Sequence, residues 1–304
     1  LDSGPILPIV HHPDYLAPLK PGHRFPMSKY GYLRAALAAR GLLAIGGYPA
    51  PSPATTAQVA LAHEAEYVER VFSQRLTDLE VRRIGLPGTA KVARRARLAS
   101  AGTLLAAWLA LENGIACNSA GGSHHAGPGG GAGFCVFNDV AVAIRNLLAQ
   151  GVPGPVLVID ADVHQGDGTA RIFAGDPRVF TFSIHAAKNF PTRKAVSDLD
   201  IALPDGTGDA DYLAAFRAGV ARAIAAAQPR LVFYNAGVDV WEGDRLGRLG
   251  LTGTRIRTRD AHVIAAVRGV GVPFVGVVGG GYDDGPVRLA GRHAILFEEV
   301  ARAV

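Results

Sequence analysis

Val156-Leu-Val-Ile-Asp160-Ala-Asp162-Val-His164-Gln165-Gly166-Asp167-Gly168 is the stretch on which the fold turns. An aliphatic run stops abruptly at acids and an imidazole, then bends at glycines. A run that is apolar at consecutive positions reads as a strand buried on both faces, as in a parallel sheet. Side chains alternate along a strand, so Asp160, Asp162 and His164 are expected to project together near its carboxyl end.

The same grammar repeats along the chain. Helical periodicity marks Tyr30–Arg40, Thr56–Phe72, Thr89–Glu112, Asn138–Gln150, Ala210–Ala227 and Asp260–Val270. Short aliphatic runs intervene at Ile115–Asn118, Val156–Asp160, Val179–Ile184, Leu231–Asn235 and Pro273–Val278. Strands alternating with helices imply right-handed crossovers and a three-layer α/β/α arrangement around a mostly parallel sheet. No repeat, low-complexity linker or composition break divides residues 1–304, so one domain is expected.

Composition narrows the partners. Hydrophobic residues make up 49% of the 304, enough for a large core. The longest apolar segment, around Leu104–Leu111, falls far short of the roughly 18 residues that span a bilayer. No basic-then-apolar leader is legible at Leu1–Val10, and the absence of an initial Met suggests that the chain begins inside a longer one. Two cysteines, Cys117 and Cys135, favour a reducing cytoplasm over a disulfide-stapled secreted domain. The net charge of +5 is dispersed. Its densest cluster, Arg94-Arg95-Ala-Arg97, reads as a solvated helix face, and no direct nucleic-acid or membrane contact is expected. Nothing in the sequence sets an oligomeric state.

Polar residues collect where the apolar runs end: Gly121-Gly122-Ser123-His124-His125, Asp162 with His164, Ser183 with His185, Ala236-Gly237-Val238-Asp239, and Gly279-Gly280-Gly281-Tyr282. Open α/β sheets bind ligands beyond the carboxyl ends of their strands. Asp162, His164 and Asp239 match the three protein ligands of a catalytic zinc with an open position, and ferrous iron suits the same donors. Asp239 alone would serve equally as a helix cap. One of His124 and His125 fits a general base and the other an electrostatic partner, each needing a carboxylate that Asp160 or Asp167 can supply. Tyr282, at the tip of what reads as a mobile glycine turn, can donate to an oxyanion opposite a metal. Phe134 and Phe190 are core aromatics by default, or walls of an apolar channel beside the site. His11, His12, His23, His63, His262 and His293 are assigned no chemistry.

Together these segments resemble the zinc-dependent histone deacetylase family. The matching stretches are Gly121-Gly-Ser-His-His-Ala126, Gly133-Phe-Cys-Val-Phe-Asn-Asp-Val-Ala141, Asp160-Ala-Asp-Val-His-Gln-Gly-Asp-Gly-Thr169, Tyr234-Asn-Ala-Gly-Val-Asp239 and Gly279-Gly-Gly-Tyr282. The likeness extends to His11-His-Pro-Asp-Tyr15, His23-Arg-Phe-Pro26 and Arg83-Ile-Gly-Leu-Pro87, and so covers nearly the whole chain. Gln165 stands where many members have a second His, a feature of the class IV branch and its bacterial relatives. Asp283-Asp284 follows Tyr282 where Asn, Gln or Ser is more usual, and the rim loops lack the acidic clamp of some members.

The resemblance implies the arginase/deacetylase-like fold and a zinc held by Asp162, His164 and Asp239. It makes His125, paired with Asp167, the general base and acid, and His124, paired with Asp160, the electrostatic member. It further implies a carbonyl-polarising Tyr282 and an acyl-lysine tunnel at Phe134, Phe190 and Gly133. A structural potassium ion would use Asp160 and Ser183 side chains with the carbonyls of Asp162, His164 and Ile184. The implied reaction removes an acetyl or longer acyl group from lysine; acetylpolyamines and other small N-acyl amines are the alternative substrates. A non-catalytic acyl-lysine binder is the reading from another class. A binuclear manganese ureohydrolase would need a second Asp two positions beyond Asp239, where Trp241 stands. The Ala-, Gly- and Arg-rich composition points to a bacterial source, in which histones are not natural targets.

Overall fold

The computed structural model describes residues 7–43 and 46–304. Most of the segment scanned for a leader, residues 1–6, lies outside the described residues. Strands β1 (Ile9–Val10), β2 (Ile115–Asn118), β3 (Val156–Asp160), β4 (Val179–Ala186), β5 (Leu199–Leu203), β6 (Leu231–Ala236) and β7 (Phe274–Val278) form one sheet. Its order is β1-β2-β7-β6-β3-β4-β5, and every pairing is parallel.

The helices are α1 (Lys29–Ala39), α2 (Thr56–Ala60), α3 (Ala65–Phe72), α4 (Asp78–Ile84), α5 (Ala90–Asn113), α6 (Asp139–Ala149), α7 (Asp167–Phe173), α8 (Asp209–Ala227), α9 (Gly253–Gly269) and α10 (Pro286–Arg302). Helices α1, α10, α9 and α8 pack in succession as one layer, and α5, α6 and α7 as the other. Each of the runs β2, β3, β6 and β7 is buried throughout. This is why they are aliphatic at every position and not at alternate ones.

Some elements differ from expectation. Thr56–Phe72 is two helices, because the chain turns through Ala62-His63-Glu64 between them. Strand β5, with burial alternating along Leu199-Asp-Ile-Ala-Leu203, is an edge strand whose charged Asp200 hid it. Helix α9 begins seven residues before the expected Asp260, since its first turns are polar. The cluster Arg94-Arg95-Ala-Arg97 is not a solvated face. Arg95 is buried, donates from Nε to the Tyr15 carbonyl at 3.0 Å and lies over the Tyr30 ring. Arg97 covers the Phe72 ring and donates to the Ala54 carbonyl, so only Arg94, paired with Asp14, faces solvent.

The turn that splits α2 from α3 has a structural use. The buried His63 ring bonds the Gly127 carbonyl through Nδ1 at 2.8 Å and accepts the Asn138 backbone N–H at Nε2, 3.0 Å away. Only the neutral tautomer can do both. Burial lowers its pKa to about 4, against weaker opposing bonds from Gly127 and Pro128. Between pH 6.5 and about 4 the unfolded chain therefore binds the extra proton, and stability falls as pH drops through that window, by about 2–3 kcal/mol at most from this residue. Melting temperatures measured from pH 7.5 to 4.5 should decline, and His63→Gln, which keeps a donor and an acceptor but does not titrate, should flatten the slope. A pH-independent melting temperature in the native chain would contradict this.

Candidate metal centre

The sheet order places β3 and β6 side by side, with Asp160 opposite Asn235 in register. The loops leaving their carboxyl ends carry Asp162, His164 and Asp239. Strand β3 stops at Asp160, so Asp162 and His164 do not continue its alternation; they meet in the bend beyond it. One ligand atom from each of Asp162, His164 and Asp239 lies within 4.8 Å of the others, and all three residues are buried. His164 Nδ1 is 3.0 Å from Asp162 Oδ1 and 3.2 Å from Asp239 Oδ2.

The remaining carboxylate oxygens are tied to backbone. Asp162 Oδ2 accepts the Gly280 N–H at 2.6 Å, and Asp239 Oδ1 accepts the Val163 N–H at 3.0 Å. Asp239 Oδ2 has no hydrogen-bond partner although it is buried. An unpartnered carboxylate oxygen aimed at a second carboxylate and an imidazole is a costly arrangement unless a cation joins them. The donor set, two hard oxygens and one imidazole nitrogen, fits a divalent ion with open positions.

Close approach here requires glycine. A Cβ on Gly280 would collide with the carboxylate oxygens of Asp239 and Asp162. Behind the centre, the fully buried Arg259 donates through Nη1 to the Ala161 carbonyl at 3.0 Å and the Gly237 carbonyl at 2.7 Å. Those carbonyls precede Asp162 and lie two residues before Asp239. Asp260 beside it accepts from Arg259 Nε and from the Tyr234 hydroxyl.

The tandem histidines approach from the loop after β2. Asp139, the first residue of α6, fastens that loop by accepting the Ser123 N–H at 2.7 Å and the Thr103 hydroxyl at 2.6 Å. His124 Nδ1 lies 2.7 Å from Asp160 Oδ2, and His125 Nδ1 lies 2.7 Å from Asp167 Oδ1. Both pairs join as the resemblance implies. Burial opposes charge on His124, but Asp160 and Asp162 outweigh it and raise its pKa to about 9. Burial and the neighbouring His124 charge lower His125 to about 3, with Asp167 too weak to restore it. The two neighbouring rings are thus pushed in opposite directions, which suits an acid–base division.

A cavity of about 470 Å³ opens onto His125, His164, Phe134, Phe190 and Tyr282. Phe190 stands edge-on to His125, centroids 4.8 Å apart. Phe134 holds a left-handed backbone (φ 66°), fixed by its N–H to the Ile84 carbonyl, and its ring lies 6.0 Å from that of Tyr282. Gly133 must be glycine because its φ is positive and a Cβ would strike the His125 ring.

Tyr282 is buried, and its turn is tied rather than mobile. Its N–H donates to Asp244 Oδ2 at 2.7 Å, and its carbonyl accepts from the Arg245 N–H. Asp283 accepts from Arg288 at 2.9 Å and Arg292 at 2.5 Å, and Arg292 in turn lies over the Trp241 ring. Burial, then Asp239 and Asp162, raise the phenol well above its ordinary pKa, so it stays a donor. Asp244 and Arg259 escaped the sequence reading, because each holds backbone groups far away in sequence and belongs to no short motif. Asp283 was visible only as an unusual residue after Tyr282, without its role in tying the turn.

A family model described as "Histone deacetylase domain" matches residues 23–296. The chain is 45% identical over 289 residues to an uncharacterized protein of Picosynechococcus sp., covering 95% of this chain and 96% of that one. It is 30% identical over 278 residues to Histone deacetylase 2 of Arabidopsis thaliana, covering 88% and 71%. The crystal structure of the HDA15 HD domain superposes with a TM-score of 0.82 at 24% identity, covering 97% and 88%, a likeness of fold. The chain belongs to the histone deacetylase family.

Proposed function

We propose that residues 1–304 form a single catalytic domain that removes an acyl group, acetyl or longer, from the ε-amine of lysine in a zinc-dependent hydrolysis. One observation carries this reading: a three-ligand centre, a carboxylate-held neutral imidazole and a buried phenol converge on one cavity.

Asp162, His164 and Asp239 would hold the metal, and zinc bound there, or ferrous iron on the same donors, would polarise the acyl carbonyl and acidify a water. Asp167 fixes the His125 ring through Nδ1 and leaves Nε2 to take the attacking water's proton. The same nitrogen then delivers that proton to the departing lysine amine, which leaves as the C–N bond breaks. The cationic His124 sits beside the developing negative charge. The Tyr282 hydroxyl donates to the carbonyl oxygen as it gains charge. Phe134, Phe190 and Gly133 line the entrance through which the acyl-lysine stem would pass.

The monovalent-cation site belongs to the same proposal. Asp160 and Ser183 are register partners on β3 and β4, both buried, and the potassium reading rests on that adjacency. A cytoplasmic location is supported by the two free cysteines; among the described residues no helix is long and apolar enough to cross a membrane. Two other readings are less well supported. A binuclear centre lacks a second ligand set, since Asp162, His164 and Asp239 are the one such cluster among the described residues. A non-catalytic binder would not require the His125–Asp167 pair.

Three outcomes test the proposal. On an acetyl-lysine peptide, Tyr282→Phe should lose about 10²–10³ in turnover with an unchanged melting temperature; normal turnover would remove Tyr282 from the mechanism. Chelation should abolish hydrolysis and one equivalent of zinc or ferrous iron restore it, whereas two manganese per chain would favour the binuclear reading. Asp283→Ala frees the Tyr282 turn and should lower kcat about ten- to a hundredfold at full metal content; an unaltered kcat would show that the Arg288–Asp283–Arg292 tie does not position the phenol.

A further inference from the structure

The charged side chains that line the entrance are all cationic. The 470 Å³ cavity is bordered by Arg24, Lys188, Arg245 and Arg248, and no carboxylate lines it. A second cavity, of about 490 Å³, shares Arg24, Gly133, Phe134 and Phe190 with the first and adds Arg82 and Arg83; it too has no carboxylate in its lining. Because they share those residues, the two form one continuous surface running away from the reaction centre past Phe134 and Phe190.

Not all of this charge is free. Arg245 pairs with Asp284, and Arg248 pairs with Asp205 at 3.1 Å. Arg24, Lys188, Arg82 and Arg83 are exposed and form no ion pair among the described residues. Hence four cations without an ion-pair partner among the described residues line the two joined cavities, where low-dielectric walls focus the field outward.

That field bears on the choice of substrate, and the inference rests on the acyl-lysine reading above. Polyamines and lysine-rich tails are polycations, which this rim repels. A small anion would reach one or two of the four cations, whereas an extended chain could lie along both cavities. We propose that the natural substrate is an acyl-lysine in an acidic peptide context, with Asp or Glu flanking the modified residue. Arg24, where the two cavities meet, and Lys188, beside Phe190, are the principal specificity-determining residues.

The test uses three fluorescein-labelled acetyl-lysine peptides of one length whose flanking residues are Glu, Gln or Lys, together with N-acetylspermidine and the small dianion Nα-succinyl-Nε-acetyl-lysine. At 50 mM salt, kcat/KM should be about tenfold higher for the Glu than for the Lys peptide, and the ratio should shrink towards unity at 500 mM. Anisotropy should rank binding in the same order, and Arg24→Glu/Lys188→Glu should reverse it. Equal rates, a salt-independent ratio, or preference for the Lys peptide or acetylspermidine would overturn the proposal. So would turnover of the small dianion that matches the Glu peptide. If no peptide is hydrolysed yet the Glu peptide binds tightest and releases with salt, the charge assignment stands and the hydrolytic reading fails. Should the double variant not fold, the salt dependence in the native chain still decides.

Discussion

Two carboxylates, Asp162 and Asp239, are buried against one imidazole at the ends of adjacent strands, and the rest of the site is arranged around that unfavourable meeting. Left to themselves, like charges in a low dielectric would separate the loops that carry them. Arg259 counters this from behind. Its guanidinium is fully buried and ties the Ala161 and Gly237 carbonyls together, so the two loops cannot drift apart without depriving a buried N–H donor of an acceptor. Gly280 permits the approach from the front, because any side chain there would occupy the space of both carboxylates. The unpartnered oxygen of Asp239 is the residue of strain that a cation would relieve.

The paired histidines inherit their properties from this framework. His124 and His125 are chemically identical neighbours, 4.1 Å apart between ring centroids, yet their environments push them in opposite directions. His124 meets Asp160 and also lies 3.8 Å from Asp162, and its proton affinity rises. His125 meets Asp167, whose charge is shared with Arg171, and burial beside His124 lowers its proton affinity. The split in proton affinity therefore follows which carboxylate each ring faces, set by the spacing of Asp160 and Asp167 along β3 and the start of α7.

Much of this was legible in the chain. The aliphatic runs named the central strands because burial on both faces leaves no room for polar alternation. The polar residues after those runs named the site because parallel strands all deliver their carboxyl ends to one edge. What was not legible depended on partners far away in sequence. The edge strand β5 is half-solvated and carries Asp200, and the Arg94–Arg97 cluster looked solvent-facing until Tyr15, Tyr30 and Phe72 were seen to cover two of its three cations. The Tyr282 turn, three glycines in a row, read as mobile; Asp244 holds it from another segment, and Asp283 within it is anchored by Arg288 and Arg292 of α10.

The sequence by itself determined the architecture and the identity of the chemical groups, since both follow from local pattern: apolar runs, their punctuation and the residue types at their ends. Tertiary structure alone decided how their proton affinities split, which backbone groups hold them and what surrounds the entrance. Proton affinity and field are sums over residues brought together from the whole chain. Arg24, the adjacent Arg82 and Arg83 of α4, and Lys188 lie on three separate segments, and only folding gathers them at one mouth.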